Sequence, residues 1–433
     1  MSKIRSAIAY SGHKFRTRNI SKTVRKIVIS PIKEMSILAD QLEEKMRLRK
    51  YEKIRKYENI ISFGQGIPYL DTPSYIKEGI KKALKEESTA FYTLEPGITE
   101  LRILIANYLK QFKNIKNVKP KKELMVTVGA QEAMACALRS VIDKEDEVLL
   151  PCPTYASHIE QVIQFGGIPK FVALEEKNGW RLNIKECQKK LSKKTKAILF
   201  SNPSNPTGAV LSKEEILDLA RFVKKNNLIL IADETYDFLT YDKVKHFSPA
   251  CLKEIRDQII LCSSFSKRYR MTGYRIGYAF ASEGIIDHML KVHDALAICA
   301  PAISQKAVIT ALKQKEKSQK SIKELVKQMT LNRKIMCQEL DKLNETFEYQ
   351  KPKGAYYVFV KISVKGRPKI DSFKITLKIL REAHIIVIPG RAFGPNGEGY
   401  IRFSFAGEGK NIITGFRRLQ KWAKKWKKEG YKI

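Results

Sequence analysis

From about residue 61 to 285 the chain repeats one pattern: a short apolar, β-rich run followed by an amphipathic helical stretch. The runs are "LMVTV", "EVLLP", "KAILF", "LILIAD", "QIILCS" and "YRIGYAF". None alternates strictly between apolar and polar residues, so both faces of each strand must be covered. Helical stretches such as 130–141 and 212–226 lie between most of them. Short continuous apolar strands separated by helices build a mostly parallel sheet with helices on both faces. An α/β fold is therefore expected for this part of the chain.

The remainder reads differently. Residues 1–22 carry no periodicity and read as a basic, flexible extension. Residues 31–56 read as a helix with Pro31 at its start. A long helical region follows Pro301 and runs to about residue 344. Beyond it, the strands "YYVFVKI", "IIVIPG" and "YIRFSFA" mix with helices at 371–383 and 410–427. These features predict a large domain over 61–300 and a smaller α+β domain over 301–433, joined by an N-terminal arm over 23–60.

Composition narrows the partners. No stretch approaches the roughly 20 apolar residues of a membrane span, so no membrane partner is expected. The seven cysteines are scattered, with no C-x-x-C pair, and read as reduced thiols of a cytoplasmic protein. The first 33 residues contain no Asp or Glu, which also suits a transit peptide. A net charge of +36 suggests nucleic acid. Much of that charge lies on polar helix faces such as "SKEEILDLARFVKKNN", so only non-specific polyanion contact is expected.

In an open α/β sheet, ligands bind at the carboxyl ends of the strands. After "LMVTV", Gly129-Ala130-Gln131 opens a helix whose free N–H groups suit an anion. Tyr155 follows "LLPCP", and Asn205 lies in "SNPSNPTG" after "KAILF". Asp233, Glu234 and Tyr236 follow "LILIA". Ser264, Ser266 and Lys267 follow "QIILC", and Arg275 stands between two nearby glycines. A phosphate would take the helix mouth, the two serines and Arg275, while a planar ring would stack on Tyr155. A buried carboxylate would keep a ring nitrogen protonated, and a lysine can form a Schiff base with an aldehyde. Pyridoxal 5′-phosphate carries all of these groups. Taken singly, each residue has an ordinary reading: Asp233 could cap a helix, and N-P-T-G could be a turn. His158, Cys152 and Tyr356 lie near these motifs and read as packing or rim residues.

The chain resembles the class I/II aminotransferases of the fold-type-I, pyridoxal-phosphate-dependent superfamily over about residues 28–425. The resemblance rests on "SFSKRYRMTGYRIG", joined in order to G-A-Q-E, N-P-T-G, D-E-x-Y and a late "YIRFSFA". Asn205 and Asp233 are 28 residues apart, and Asp233 and Lys267 are 34 apart. It implies a seven-stranded sheet in the large domain and a homodimer with shared active sites. It implies that Lys267 holds the cofactor and moves the proton, while Asp233 pairs with the ring nitrogen. Asn205 and Tyr236 would bond the ring oxygen. Ala130, Gln131, Ser264, Ser266 and Arg275 would hold the phosphate, and Tyr155 would stack on the ring. Tyr92 would reach the phosphate of the neighbouring subunit. Arg402 would clamp the substrate carboxylate beside the backbone of Gly66.

The expected reaction moves an amino group from an L-amino acid to a 2-oxo acid. The same residues could serve β-elimination, as in a C–S lyase. A nucleic-acid-binding protein on a retired scaffold is a third reading. Some aspartate-specific relatives carry lysine where this chain has Gln131, which weakens the case for a dicarboxylate preference.

Overall fold

The computed structural model describes residues 21–27, 31–51, 59–364 and 370–432. The basic extension, apart from residues 21 and 22, and part of the arm lie outside them. The central sheet has seven strands: β2 (Leu124–Thr127), β3 (Glu147–Cys152), β4 (Ile168–Ala173), β5 (Thr195–Ser201), β6 (Ile229–Asp233), β7 (Ile259–Ser264) and β8 (Gly277–Phe280). Their spatial order is β2-β8-β7-β6-β5-β3-β4. All pairs are parallel except those of β8, which runs antiparallel to β2 and β7.

The apolar runs are continuous because each strand feeds two cores. Ile198, Leu230 and Leu261 pack on one face, and their neighbours Leu199, Ile231 and Ile260 on the other. On the first face lie α2 (Ser74–Ala83), α3 (Thr99–Lys113), α6 (Ile184–Lys190), α7 (Lys213–Lys225) and α10 (Ala302–Lys313). On the second lie α4 (Gly129–Val141), α5 (Ala156–Gln164) and α9 (Glu283–Ala297). The strand absent from the six apolar runs is β4. It is an edge strand with only one of its six residues fully buried, and Lys170 breaks the apolar run of its sequence "IPKFVA".

The C-terminal part has its own antiparallel sheet, ordered β12 (Ile388–Pro389), β13 (Tyr400–Ser404), β10 (Tyr357–Ile362), β9 (Phe347–Tyr349). It shares a core with α11 (Lys315–Asp341), α12 (Ser372–Ala383) and α13 (Gly409–Lys428). A two-residue strand, β1 (Ile61–Ser62), pairs in parallel with β11 (Ile385–Ile386). Helix α1 (Pro31–Tyr51) packs on β11, β12 and α12. The chain preceding the central sheet is thus bound to the C-terminal part, and it carries Gly64 and Gly66 toward the central strand ends.

Candidate active site

Register brings the strand ends together. Ser201 lies opposite Asp233, and Asp233 opposite Cys262. The segments that follow therefore leave the sheet at one level. They line a cavity of about 550 Å³ with Gly66, Ala130, Gln131, Tyr155, Asn205, Asp233, Tyr236, Ser264, Ser266, Lys267, Arg275 and Arg402. Of the cofactor- and substrate-binding residues that the resemblance implies, only Tyr92 is absent from this wall. It is 78% exposed, next to Phe91 at 70%.

Lys267 sits on a one-turn helix, α8 (Phe265–Arg268). Ser264 starts that turn, its hydroxyl accepting from the Ser266 N–H at 3.1 Å. The Lys267 Nζ donates to the Gly66 carbonyl at 2.8 Å, and the Tyr356 hydroxyl donates to the same oxygen at 2.7 Å. Burial lowers the pKa of the lysine, and the charges of Arg275 and Arg402 lower it further. Asp233 opposes them only partly, and the value falls to about 8. In cofactor-free protein the Lys267 amine should therefore react with acetic anhydride with a midpoint near pH 8. Competitive labelling followed by mass spectrometry measures this, and a midpoint at the ordinary lysine value would contradict the site.

Asp233 is hydrogen-bonded on one oxygen and faces a histidine with the other. Oδ1 accepts from the Thr235 N–H at 3.1 Å and hydroxyl at 2.6 Å. Oδ2 lies 3.4 Å from His158 Nε2, while Thr154 bonds His158 Nδ1 at 3.2 Å. His158 is fully buried, so it supports Asp233 rather than filling the rim. Tyr356 is likewise a partner of Gly66 rather than packing alone. Thr154 and His158 stand four residues apart, the one local signal for this support. The Tyr236 and Tyr357 hydroxyls are 2.9 Å apart. Arg402, 2% exposed, donates to Asn205 Oδ1 at 3.0 Å and to the Gly64 carbonyl.

One end of the cavity is a helix mouth with no room for side chains. Gly129 has φ +76°, and a Cβ there would lie 2.7 Å from the Arg275 guanidinium. A Cβ on Gly277 would lie 2.8 Å from the Ala130 nitrogen. The Ser266 hydroxyl is buried without a partner. An orphaned hydroxyl, a guanidinium and a bare helix N-terminus suit a phosphate group.

Beneath these groups lies a buried ion network. Lys113 Nζ is 2.5 Å from Glu234 Oε2 and 2.6 Å from Asp237 Oδ2. Arg268 reaches Asp237 Oδ1 at 2.9 Å, and the Tyr108 hydroxyl donates to Oδ2 at 2.9 Å. Burial raises the Asp237 pKa, but Lys113, Arg268 and His246 overcome this and hold the carboxyl well below its usual range. Each acidic or guanidinium member is the chain neighbour of a cavity residue: Glu234 of Asp233, Asp237 of Tyr236, Arg268 of Lys267.

Residues 58–416 match the family model for aminotransferases of class I and II. The chain belongs to this family. The aminotransferase is 38% identical to an aspartate aminotransferase of Pyrococcus abyssi, over 84% of this chain and 92% of that one. It is 34% identical to aromatic-amino-acid aminotransferase 2 of Thermococcus litoralis, over 90% and 99% of the two chains. Its fold matches the crystal structure of an aromatic aminotransferase from Pyrococcus horikoshii with a TM-score of 0.81 at 37% identity, covering 86% and 97% of the two chains. The aminotransferase is thus an enzyme, a transaminase.

Proposed function

We propose that the cavity holds pyridoxal 5′-phosphate and that the enzyme uses it to move an amino group from an L-amino acid to a 2-oxo acid. The observation that carries this reading is Lys267: a partly buried amine with a lowered pKa, in one cavity with Asp233 and a bare helix mouth. When bound, the cofactor supplies an aldehyde for amines and a ring that accepts the electrons released at the substrate Cα. Ser264, Ser266, Arg275 and the N–H groups of Ala130 and Gln131 would hold its phosphate. Tyr155 would cover the ring, and Asn205 and Tyr236 would bond its oxygen. Asp233, fixed by Thr235 and facing His158, would hold a proton on the ring nitrogen.

Arg402 would receive the substrate α-carboxylate in a two-pronged bond, with its guanidinium already aimed by Asn205 and Gly64. The free Lys267 amine would then take the Cα proton, and its lowered pKa suits it to act as a base near neutral pH. Tyr92 does not line its own cavity and is exposed beside Phe91, which supports a homodimer in which Tyr92 serves the partner's site. A division into a large and a smaller domain is supported by the separate C-terminal core, with α10 (Ala302–Lys313) on the large-domain side of a boundary expected at residue 301. Among the described residues no helix is long and apolar enough to cross a membrane, and the cysteines are free, in keeping with a cytoplasmic enzyme.

An absorbance-monitored half-reaction against a panel of amino acids tests the reading. Amino acids alone should bleach the visible band of the purified protein, and 2-oxo acids should restore it. Release of pyruvate and ammonia from a cysteine conjugate without any oxo acid would point to β-elimination instead. Protein with no visible band after incubation with the cofactor would overturn the assignment.

A further inference from the structure

A second cavity, of about 300 Å³, lies between α3 and the junction of α10 and α11. It is separate from the catalytic cavity, and it touches the residue next to the catalytic lysine. Leu104, Phe112, Leu312 and Ile322 form its walls together with the rings of Tyr108 and Tyr269. Arg268, Lys315 and Lys323 also line it, and no carboxylate does. Lys315 and Lys323 have no acidic partner among the described residues. The broader groove between α2, α10 and α11 differs, because it sets Glu78, Glu86, Glu100 and Glu324 against its lysines. Three of those acids are paired, Glu78 with Lys81, Glu86 with Lys306 and Glu100 with Lys313, so that groove already meets part of its own charge.

We propose that the cavity between α3 and α11 is a binding site for a small hydrophobic monocarboxylate, an aromatic or branched apolar body with a single carboxylate. The apolar walls select the body. The lysines, with no competing acid, select the anion. The size is at the lower end for small-molecule sites and excludes nucleotides and other large anions. Phe112 stands 53% exposed at the wall, a large ring left in water that such a body would cover.

The floor of the site explains how occupancy is felt at the active site. The Arg268 guanidinium lies 5.0 Å from the Tyr108 ring and 4.8 Å from the Phe238 ring. Arg268 and Tyr108 both bond Asp237, at 2.9 Å each. A ligand packed on Tyr108 and Arg268 bears on the ion network that flanks Asp233, Tyr236 and Lys267. A ligand that binds two arrangements of this network unequally shifts Lys267 with it.

The test uses 3-phenylpropanoate as the probe, with calorimetry on the wild-type enzyme and on a Lys315→Glu/Lys323→Glu variant. Both lysines are surface groups outside the catalytic cavity, so the variant should fold and retain basal activity. The catalytic cavity binds the probe alike in both proteins, so only the difference is read. Wild type should show two sites, and the variant should lose one or weaken it by about tenfold or more. The uncharged 3-phenylpropan-1-ol should bind the second site about tenfold more weakly than the acid. Saturating probe should also move the labelling midpoint of Lys267 in cofactor-free Arg402→Met enzyme, where the catalytic cavity has lost its carboxylate clamp. If that variant does not fold, the wild-type comparison decides. Identical binding to wild type and the Lys315/Lys323 variant, or equal binding of acid and alcohol, would overturn the site. A bound probe that leaves the midpoint unmoved would overturn the coupling. Failure of the catalytic reading shows up separately, as a missing visible band.

Discussion

Lys267→Ala enzyme should turn over amino acids about 10⁴-fold more slowly than wild type, the upper range for a lost general base. It should also lose the visible absorbance that depends on covalent attachment of the cofactor. Both losses follow from one amine, because in the structure it is the one lysine amine of the cavity that lies between Arg275, Arg402 and Asp233. The loss cannot be blamed on unfolding. The folded-state pKa of Lys267 lies near 8, below the ordinary value of 10.5. A base with a lowered pKa costs the folded state stability wherever it is protonated, which is at every pH below about 8. That cost fades as pH rises from about 8 to 10.5. Cofactor-free wild type should therefore gain stability across that window, and cofactor-free Lys267→Ala should show no such gain while being at least as stable at neutral pH. Single-turnover rates, absorbance and urea midpoints at several pH values measure these effects. A variant that kept the visible band would refute the assignment.

Lys113→Met should cost about 3–5 kcal/mol of folding stability, the range for breaking a buried ion pair by removing one partner. The Lys113 side chain is 1% exposed and contacts two carboxylates, Glu234 and Asp237. Methionine nearly keeps the length of the side chain, so the loss is mainly one of charge. Of the two buried carboxylates, Asp237 would then keep Arg268, and Glu234 would keep only the His246 ring nearby. Adding Glu234→Gln should recover part of the loss, because it returns the cluster to balance, and the double-mutant cycle reports the coupling directly. The urea midpoint should fall without a change in slope. A loss below about 1 kcal/mol, the level of a surface pair, would show that the network does not hold the strand ends together.

These two lysines mark how far the sequence can be read. Lys267 stands in an ordered set of motifs at strand ends, and its chain neighbours announce it. Lys113 is one of 81 cationic residues, at the end of an ordinary amphipathic helix. Its partners lie 121 and 124 residues away, and nothing local marks it. The sequence reading of His158 and Tyr356 fell short for the same reason. His158 meets Asp233 across 75 residues, and Tyr356 meets Gly66 across 290 residues. Edge strand β4 was hidden in another way, since partial exposure removed the apolar continuity that revealed the other strands.

By itself, then, the sequence determined the layered α/β architecture and the residues delivered to the carboxyl ends of the strands. Both follow from local rules: apolar continuity sets burial on two faces, and a residue just past a strand must emerge at its end. Tertiary structure alone decided which of those groups lose their water, which carbonyl receives the Lys267 amine, and which distant charges lie under the site. Desolvation and buried pairing depend on what the rest of the chain places nearby, and here that includes Gly66, Arg402 and Lys113, each from a different part of the fold.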